Sequence, residues 1–165
     1  MIEIVQGDIT QMDVDAIVNA ANQSLCGGGG VDGAIHRAAG PELLALCRTL
    51  GGCKTGHAKI TPGFNLKAKH IIHAVGPVWY GGHKNEAQDL ASCYHSVISL
   101  AKEHKIQSIA FPAISCGAYR FPLSQAAKIA LDTVTKEIQD TQIEVSIVCF
   151  EAAVLKAFSQ AVAKA

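Results

Sequence analysis

The chain has 165 residues, with fourteen Lys and Arg balanced by fourteen Asp and Glu, so its formal net charge is zero. That balance, without any run of Lys or Arg, argues against the basic stripe of a nucleic-acid-binding domain. A hydrophobic content of 49% against 17% charged residues excludes a disordered chain, and the length is that of one domain, residues 1–165, able to bury a core.

In chain order, Ile2 to Val5 and Ala16 to Asn19 read as short strands. Ala34 to Ala39 and Pro41 to Leu50 read as helices, Pro41 fitting the first helical position. Ala58 to Thr61 and His70 to Val75 are predicted strands, and Glu86 to Lys102 repeats apolar residues at helical spacing. Ser108 to Ile114 is a predicted buried strand. Leu123 to Ile138 is a helix with Ala127, Ala130, Leu131 and Val134 on one side. Val145 to Phe150 closes the strands, and Ala152 to Ala165 is a last helix.

Strands this apolar are covered on both faces, which predicts a three-layer α/β/α sandwich with a mixed central sheet. Ligands of such sheets bind outside the carboxyl ends of the strands. The segments at those ends are therefore the ones to weigh. The first ten residues lack the charged start and apolar run of a secretory signal, and no stretch approaches the ~18 apolar residues of a membrane span. A cytoplasmic protein without a membrane association is expected. The six cysteines form no CxxC pair and are expected to be free thiols. His70 and His73, three apart in a predicted strand, point to opposite faces. No metal site and no cofactor are expected.

After Ala16 to Asn19 comes NAANQSLCGGGGVDG, in which Gly28 to Gly33 formally matches GxGxxG. The glycines stand well past the strand, and no acidic residue ends a second strand beyond them, which argues against a dinucleotide turn. A phosphate loop of the GxxxxGK[ST] kind needs a lysine that is absent. A bare surface loop, with Asp32 as a helix cap, stays open. So does a glycine run whose N–H groups meet an anionic ligand at a helix start. A second glycine-bearing loop, Ser115 to Tyr119, comes after the strand at Ser108. Two such loops at one sheet edge can clasp a diphosphate by main-chain donors.

Six motifs in order carry a resemblance. They are GDIT at Gly7 to Thr10, IVNAAN at Ile17 to Asn22, GGGGVDGAIHRAAG at Gly27 to Gly40, CKTGHAKIT at Cys53 to Thr61, HAVGP at His73 to Pro77, and PAISCGAYRFP at Pro112 to Pro122. Together they resemble the macrodomains, most closely the MacroD-type branch that includes bacterial O-acetyl-ADP-ribose deacetylases. The resemblance implies an ADP-ribose ligand. Asp8 and the Ile9 N–H would meet the adenine, with Phe150 against its ring. Ser115, Cys116, Gly117, Ala118 and Tyr119 would hold the diphosphate, faced by Gly29, Gly30 and Val31. Asn22 would hydrogen-bond the distal ribose. Asp32, Asn22 and Tyr119 would carry the hydrolysis of an ester between ADP-ribose and an acetyl group or a protein Asp or Glu, with the water activated either by Asp32 or by a phosphate of the ligand. The expected partners are thus ADP-ribose, its esters and mono-ADP-ribosylated proteins. A non-catalytic reader of ADP-ribose is the alternative, and an RNA-binding use of the cleft is disfavoured by the neutral charge. His36 reads first as a structural histidine. The second loop departs from the branch pattern at Cys116, Ala118 and Arg120, and Cys116 has no base assigned to it as a nucleophile.

Overall fold

The structure is a computed structural model that describes residues 1–164. Six strands form one sheet: β1 (Ile2–Gln6), β2 (Ala16–Ala21), β3 (Ala58–Pro62), β4 (His70–Val75), β5 (Ser108–Phe111) and β6 (Glu144–Cys149). Their spatial order is β1-β6-β5-β2-β4-β3. Every neighbouring pair is parallel except β3 with β4, which makes the sheet mixed as expected. Helices α1 (Gly30–Ala39), α2 (Pro41–Cys47), α3 (Glu86–Glu103), α4 (Leu123–Glu137) and α5 (Ala152–Lys164) complete the fold.

Alternation along the strands builds two cores. Val18, Ile72, Phe111 and Ile147 pack with Leu90, Tyr94 and Val97 of α3, Ala127 and Ala130 of α4, and Phe158 of α5. On the other face Ile17, Ile71, Val75 and Val148 pack with Ile35 and Ala39 of α1 and Leu43 and Cys47 of α2. The inner strands β2, β4, β5 and β6 are largely buried on both faces, so they read as near-continuous apolar runs, whereas the edge strand β1 keeps Glu3 and Gln6 exposed.

Several boundaries differ from the sequence expectation. Helix α1 starts at Gly30 rather than Ala34, which makes Val31 and Asp32 part of its first turn. A helix α2 to Leu50 was expected, but it stops at Cys47, and Thr49 Oγ1 donates back to the Leu46 carbonyl. Strand β5 ends at Phe111 rather than Ile114 because Pro112 has no N–H for a ladder. Strand β6 ends at Cys149, which leaves Phe150 just beyond it. The expected helix end at Ala165 lies outside the described residues. His70 and His73 do face opposite ways, and His73 is fully buried on the α1 side.

Candidate functional site

Four carboxyl strand ends lie side by side, in the order β1, β6, β5, β2, and each delivers a predicted site residue. After β1, Asp8 caps the short 3-10 helix Ile9–Gln11. Its Oδ1 accepts from the Thr10 N–H at 2.9 Å and from Thr10 Oγ1 at 2.7 Å. Asp8 is exposed, and neither its Oδ2 nor the Ile9 N–H has a partner among the described residues. Phe150, beyond the paired β6, is 81% exposed, so it takes no part in the core and offers a bare ring face beside Asp8's strand.

The loop after β5 is held in shape by its own backbone. Phe121 N–H donates to the Ser115 carbonyl at 2.9 Å, and Arg120 N–H to that of Gly117 at 3.0 Å. Ser115 and Arg120 bracket the loop with left-handed φ values of 66° and 61°. The N–H groups of Gly117, Ala118 and Tyr119 are left without an acceptor among the described residues. The Cys116 N–H, by contrast, donates to the Ala113 carbonyl at 3.2 Å and is not free. Burial pushes the Cys116 thiol up to about 12, so it is protonated, with no thiolate for nucleophilic attack.

After β2, Asn22 organises the glycine run. Its Nδ2 donates to the Gly27 carbonyl at 3.0 Å, while its Oδ1 accepts from Ser24 Oγ at 2.7 Å and from the Leu25 N–H at 3.2 Å. Gly29 precedes α1 as its cap, and Gly30 opens the helix with a left-handed φ of 57°. The first N–H groups of a helix lack intrahelical acceptors, and they concentrate positive potential at its start. Gly29 and Gly30 are exposed there, with Val31 half-buried.

Asp32 sits in this first turn and is only 5% exposed. Its Oδ1 accepts from Asn19 Nδ2 at 2.9 Å and lies 3.4 Å from His36 Nε2. Burial raises the Asp32 pKa, against which the Asn19 hydrogen bond and the His36 charge pull down. Its Oδ2 flanks Gly28, together with the Asn22 amide: a Cβ on Gly28 would stand 3.2 Å from Oδ2 and 3.4 Å from Asn22 Nδ2. The structure therefore brings Asp32, Asn22 and the glycine run together.

Behind Asp32 runs a buried polar chain that the sequence expectation did not assemble. Asn19 and His73 are register partners on β2 and β4, and Asn19 Nδ2 meets His73 Nδ1 at 3.1 Å. His73 Nε2 meets Thr61 Oγ1 of β3 at 3.0 Å, and Thr61 Oγ1 donates to the Pro62 carbonyl. Burial, aided by the His36 charge, lowers the His73 pKa to about 4, so its ring is neutral. Since Asn19 Nδ2 only donates, Nδ1 accepts and Nε2 carries the proton. A single polar residue inside each of two otherwise apolar runs, Asn19 in AIVNAA and His73 in IIHAV, was the available signal. Among the described residues no three His, Cys, Asp or Glu side chains gather as a metal-binding group.

The arrangement is that of a three-layer α/β/α protein with free main-chain N–H groups on two loops at one sheet edge and the buried Asp32 beside the glycine run. The Macro domain pattern matches residues 18–130. A macro domain-containing protein of Lactiplantibacillus plantarum is 59% identical over 165 residues, covering 98% of this chain and 96% of that protein. The ADP-ribose glycohydrolase MACROD2 of Xenopus laevis is 58% identical over 147 residues, covering 88% of this chain and 35% of that protein. A solved Trypanosoma brucei macrodomain in complex with ADP-ribose superposes with a TM-score of 0.92 at 40% identity, covering 98% of this chain and 68% of that one. The chain belongs to the macro domain family, and its relatives on the MacroD side include MACROD2.

Proposed function

We propose that the protein binds ADP-ribose and hydrolyses its esters, releasing ADP-ribose and the free acid from O-acetyl-ADP-ribose or from ADP-ribosylated Asp and Glu side chains. The observation that carries this reading is the Asp32 carboxylate, anchored through one oxygen and turned with the other toward the glycine run. The family relationship supports the ligand. Asp8, Ile9 and Phe150 hold the adenine end in this reading. The free amides of Gly117, Ala118 and Tyr119 face those of the α1 start across the diphosphate. No Lys or Arg is needed, because oriented N–H groups supply the positive potential.

Ester hydrolysis needs a placed water, a group that orients or deprotonates it, and donors for the developing oxyanion. Burial makes Asp32 a stronger base than a solvated carboxylate, and its single anchored oxygen fixes the aim of the other. Asn22 acts first as the clamp of the glycine run and, through its remaining N–H, as a contact for the distal ribose. Tyr119 packs on that ribose. The six unpaired cysteines suit the reducing cytoplasm, where this chemistry would be carried out.

The test is a time course of purified protein with O-acetyl-ADP-ribose against a no-enzyme control, resolved by chromatography. More than one equivalent of ADP-ribose per protein is expected, and Asp32→Ala should greatly slow release while keeping much of the ADP-ribose affinity. Ester decay at the spontaneous rate with intact ADP-ribose binding would leave a non-catalytic reader.

A further inference from the structure

The sheet order that lines up Asp8, Phe150, the second loop and Asn22 does not end at β2. The next strand is β4, one interstrand step of about 4.8 Å further along the same edge. A linear ligand laid from β1 to β2 therefore points its far end at the loop after β4. That loop walls a cleft of about 530 Å³ that shares Asn22 and Tyr119 with the site, and whose other walls include Gln23, Thr55, Tyr80 and Lys84.

We infer that this cleft is the subsite for the polypeptide side of the ester, the chain flanking an ADP-ribosylated carboxylate. The inference rests on the hydrolase reading and deepens it by placing the polypeptide side of the substrate and the residues that would hold it. Size separates the two candidate esters. An acetyl group displaces no more than about two waters, at roughly 30 Å³ each, whereas the cleft runs on from Asn22 and Tyr119 past Tyr80 and Lys84 and leaves room for a far larger group on the acyl side.

The walls are built rather than loose. Glu86, buried at the start of α3, accepts the N–H groups of Tyr80 at 2.8 Å, Gly82 at 2.9 Å and Lys84 at 2.6 Å. Burial would raise its pKa, but these donors hold the carboxylate ionised, down at about 2. Gly81 and Gly82 take φ values of 91° and 89°, which let the turn wrap around that carboxylate. The Trp79 N–H donates to the Tyr119 carbonyl at 2.9 Å, so the β4 loop is tied to the second loop.

The chemistry of the walls suits a peptide. Tyr80 is 60% exposed, with Lys84 Nζ 5.3 Å from its ring centroid, which offers a flat apolar face held by a cation. Gln23 and Thr55, joined at 3.0 Å, present amide and hydroxyl groups to main-chain partners. Exposed aromatics thus stand at both ends of the edge, Phe150 at one and Tyr80 at the other.

The experiment compares initial rates of wild type, Tyr80→Ala and Tyr80→Phe on O-acetyl-ADP-ribose and on a peptide mono-ADP-ribosylated at glutamate. Thermal melts confirm that the variants fold. Tyr80→Ala should lower kcat/KM on the peptide by about five- to tenfold and leave the acetyl ester within about twofold of wild type. Tyr80→Phe should restore the peptide rate, because the ring face is kept. An unchanged peptide rate, or an equal fall on both substrates, overturns the subsite. If wild type turns over neither ester, the hydrolase reading has failed, and equilibrium binding of the same peptide conjugate decides the subsite by itself. The subsite then stands if wild type binds the conjugate more tightly than free ADP-ribose and Tyr80→Ala removes the excess. Equal affinities for the two ligands overturn it.

Discussion

His73 makes the fold acid-labile in a defined window. Its ordinary pKa is 6.5, and burial lowers it to about 4 in the folded chain. Between those values the unfolded chain binds a proton that the folded chain refuses, so stability rises with pH across the window and falls as pH drops through it. At roughly 1.4 kcal/mol for each pH unit, the gap from 6.5 to about 4 amounts to about 3 kcal/mol. That is a large share of the ~5–15 kcal/mol that holds a typical domain. Asp32, with its pKa raised, opposes the trend, and Glu86, held down at about 2, adds to it only below about pH 4.5. The perturbation is His73→Gln, which keeps an acceptor for Asn19 and a donor for Thr61 without a titrating ring. Urea unfolding at intervals from pH 7.5 to 4.5 gives the slope. Wild type should lose stability steadily below pH 6.5, and the variant should lose about 2 to 3 kcal/mol less over the same range. Parallel curves for the two proteins would mean that His73 does not set the acid slope.

Asp8→Asn separates the cap that Asp8 makes on Thr10 from the adenine contact proposed for it. The amide oxygen still caps Thr10, so melting should shift little, while the second position no longer accepts from an adenine amino group and ADP-ribose affinity should fall about five- to tenfold by calorimetry. Gly33→Ala places a Cβ 2.6 Å from the Gly28 carbonyl oxygen, a backbone atom that can yield only by moving the glycine run. About 1–3 kcal/mol of lost stability and a marked loss of ester hydrolysis are expected, read by melting and by the same time course. Normal turnover in Gly33→Ala would show that the run has room to move.

The fold was legible because its strands are apolar on both faces and its helices are periodic, so the three layers and the mixed sheet can be read from pattern alone. Phe150 shows where that reasoning strained. As the last letter of VSIVCF it continues an apolar run, and only the end of the β1–β6 ladder at Cys149 turns it out to solvent. Asp32 was legible as an acid behind glycines, but its burial was not, because Gly30 and Val31 enter the helix before it. Asn19 and His73 are 54 residues apart, and only the β2–β4 register brings them together. Sequence spacing has no access to such a pair, nor to the Cys116 N–H being spent on Ala113.

The hydrogen-bond chain that diverges from Asn19, to Asp32 on one side and through His73 to Thr61 on the other, links the acid sensitivity of the fold to the site. The Asn19 amide donates both of its protons, one to Asp32 and one to His73, and its own Oδ1 is buried without a partner. An unsatisfied buried carbonyl costs stability, so the orientation is held by its two acceptors rather than by comfort. Protonation of His73 turns Nδ1 from acceptor to donor. Asn19 can then answer only by presenting Oδ1, which withdraws its amide from Asp32. Asp32 would then lose the hydrogen bond that fixes its Oδ1, and with it the aim of its other oxygen. The histidine expected to lower stability in acid would, on the hydrolase reading, also misalign Asp32, so ester turnover by wild type should fall below that of His73→Gln as the pH approaches about 4.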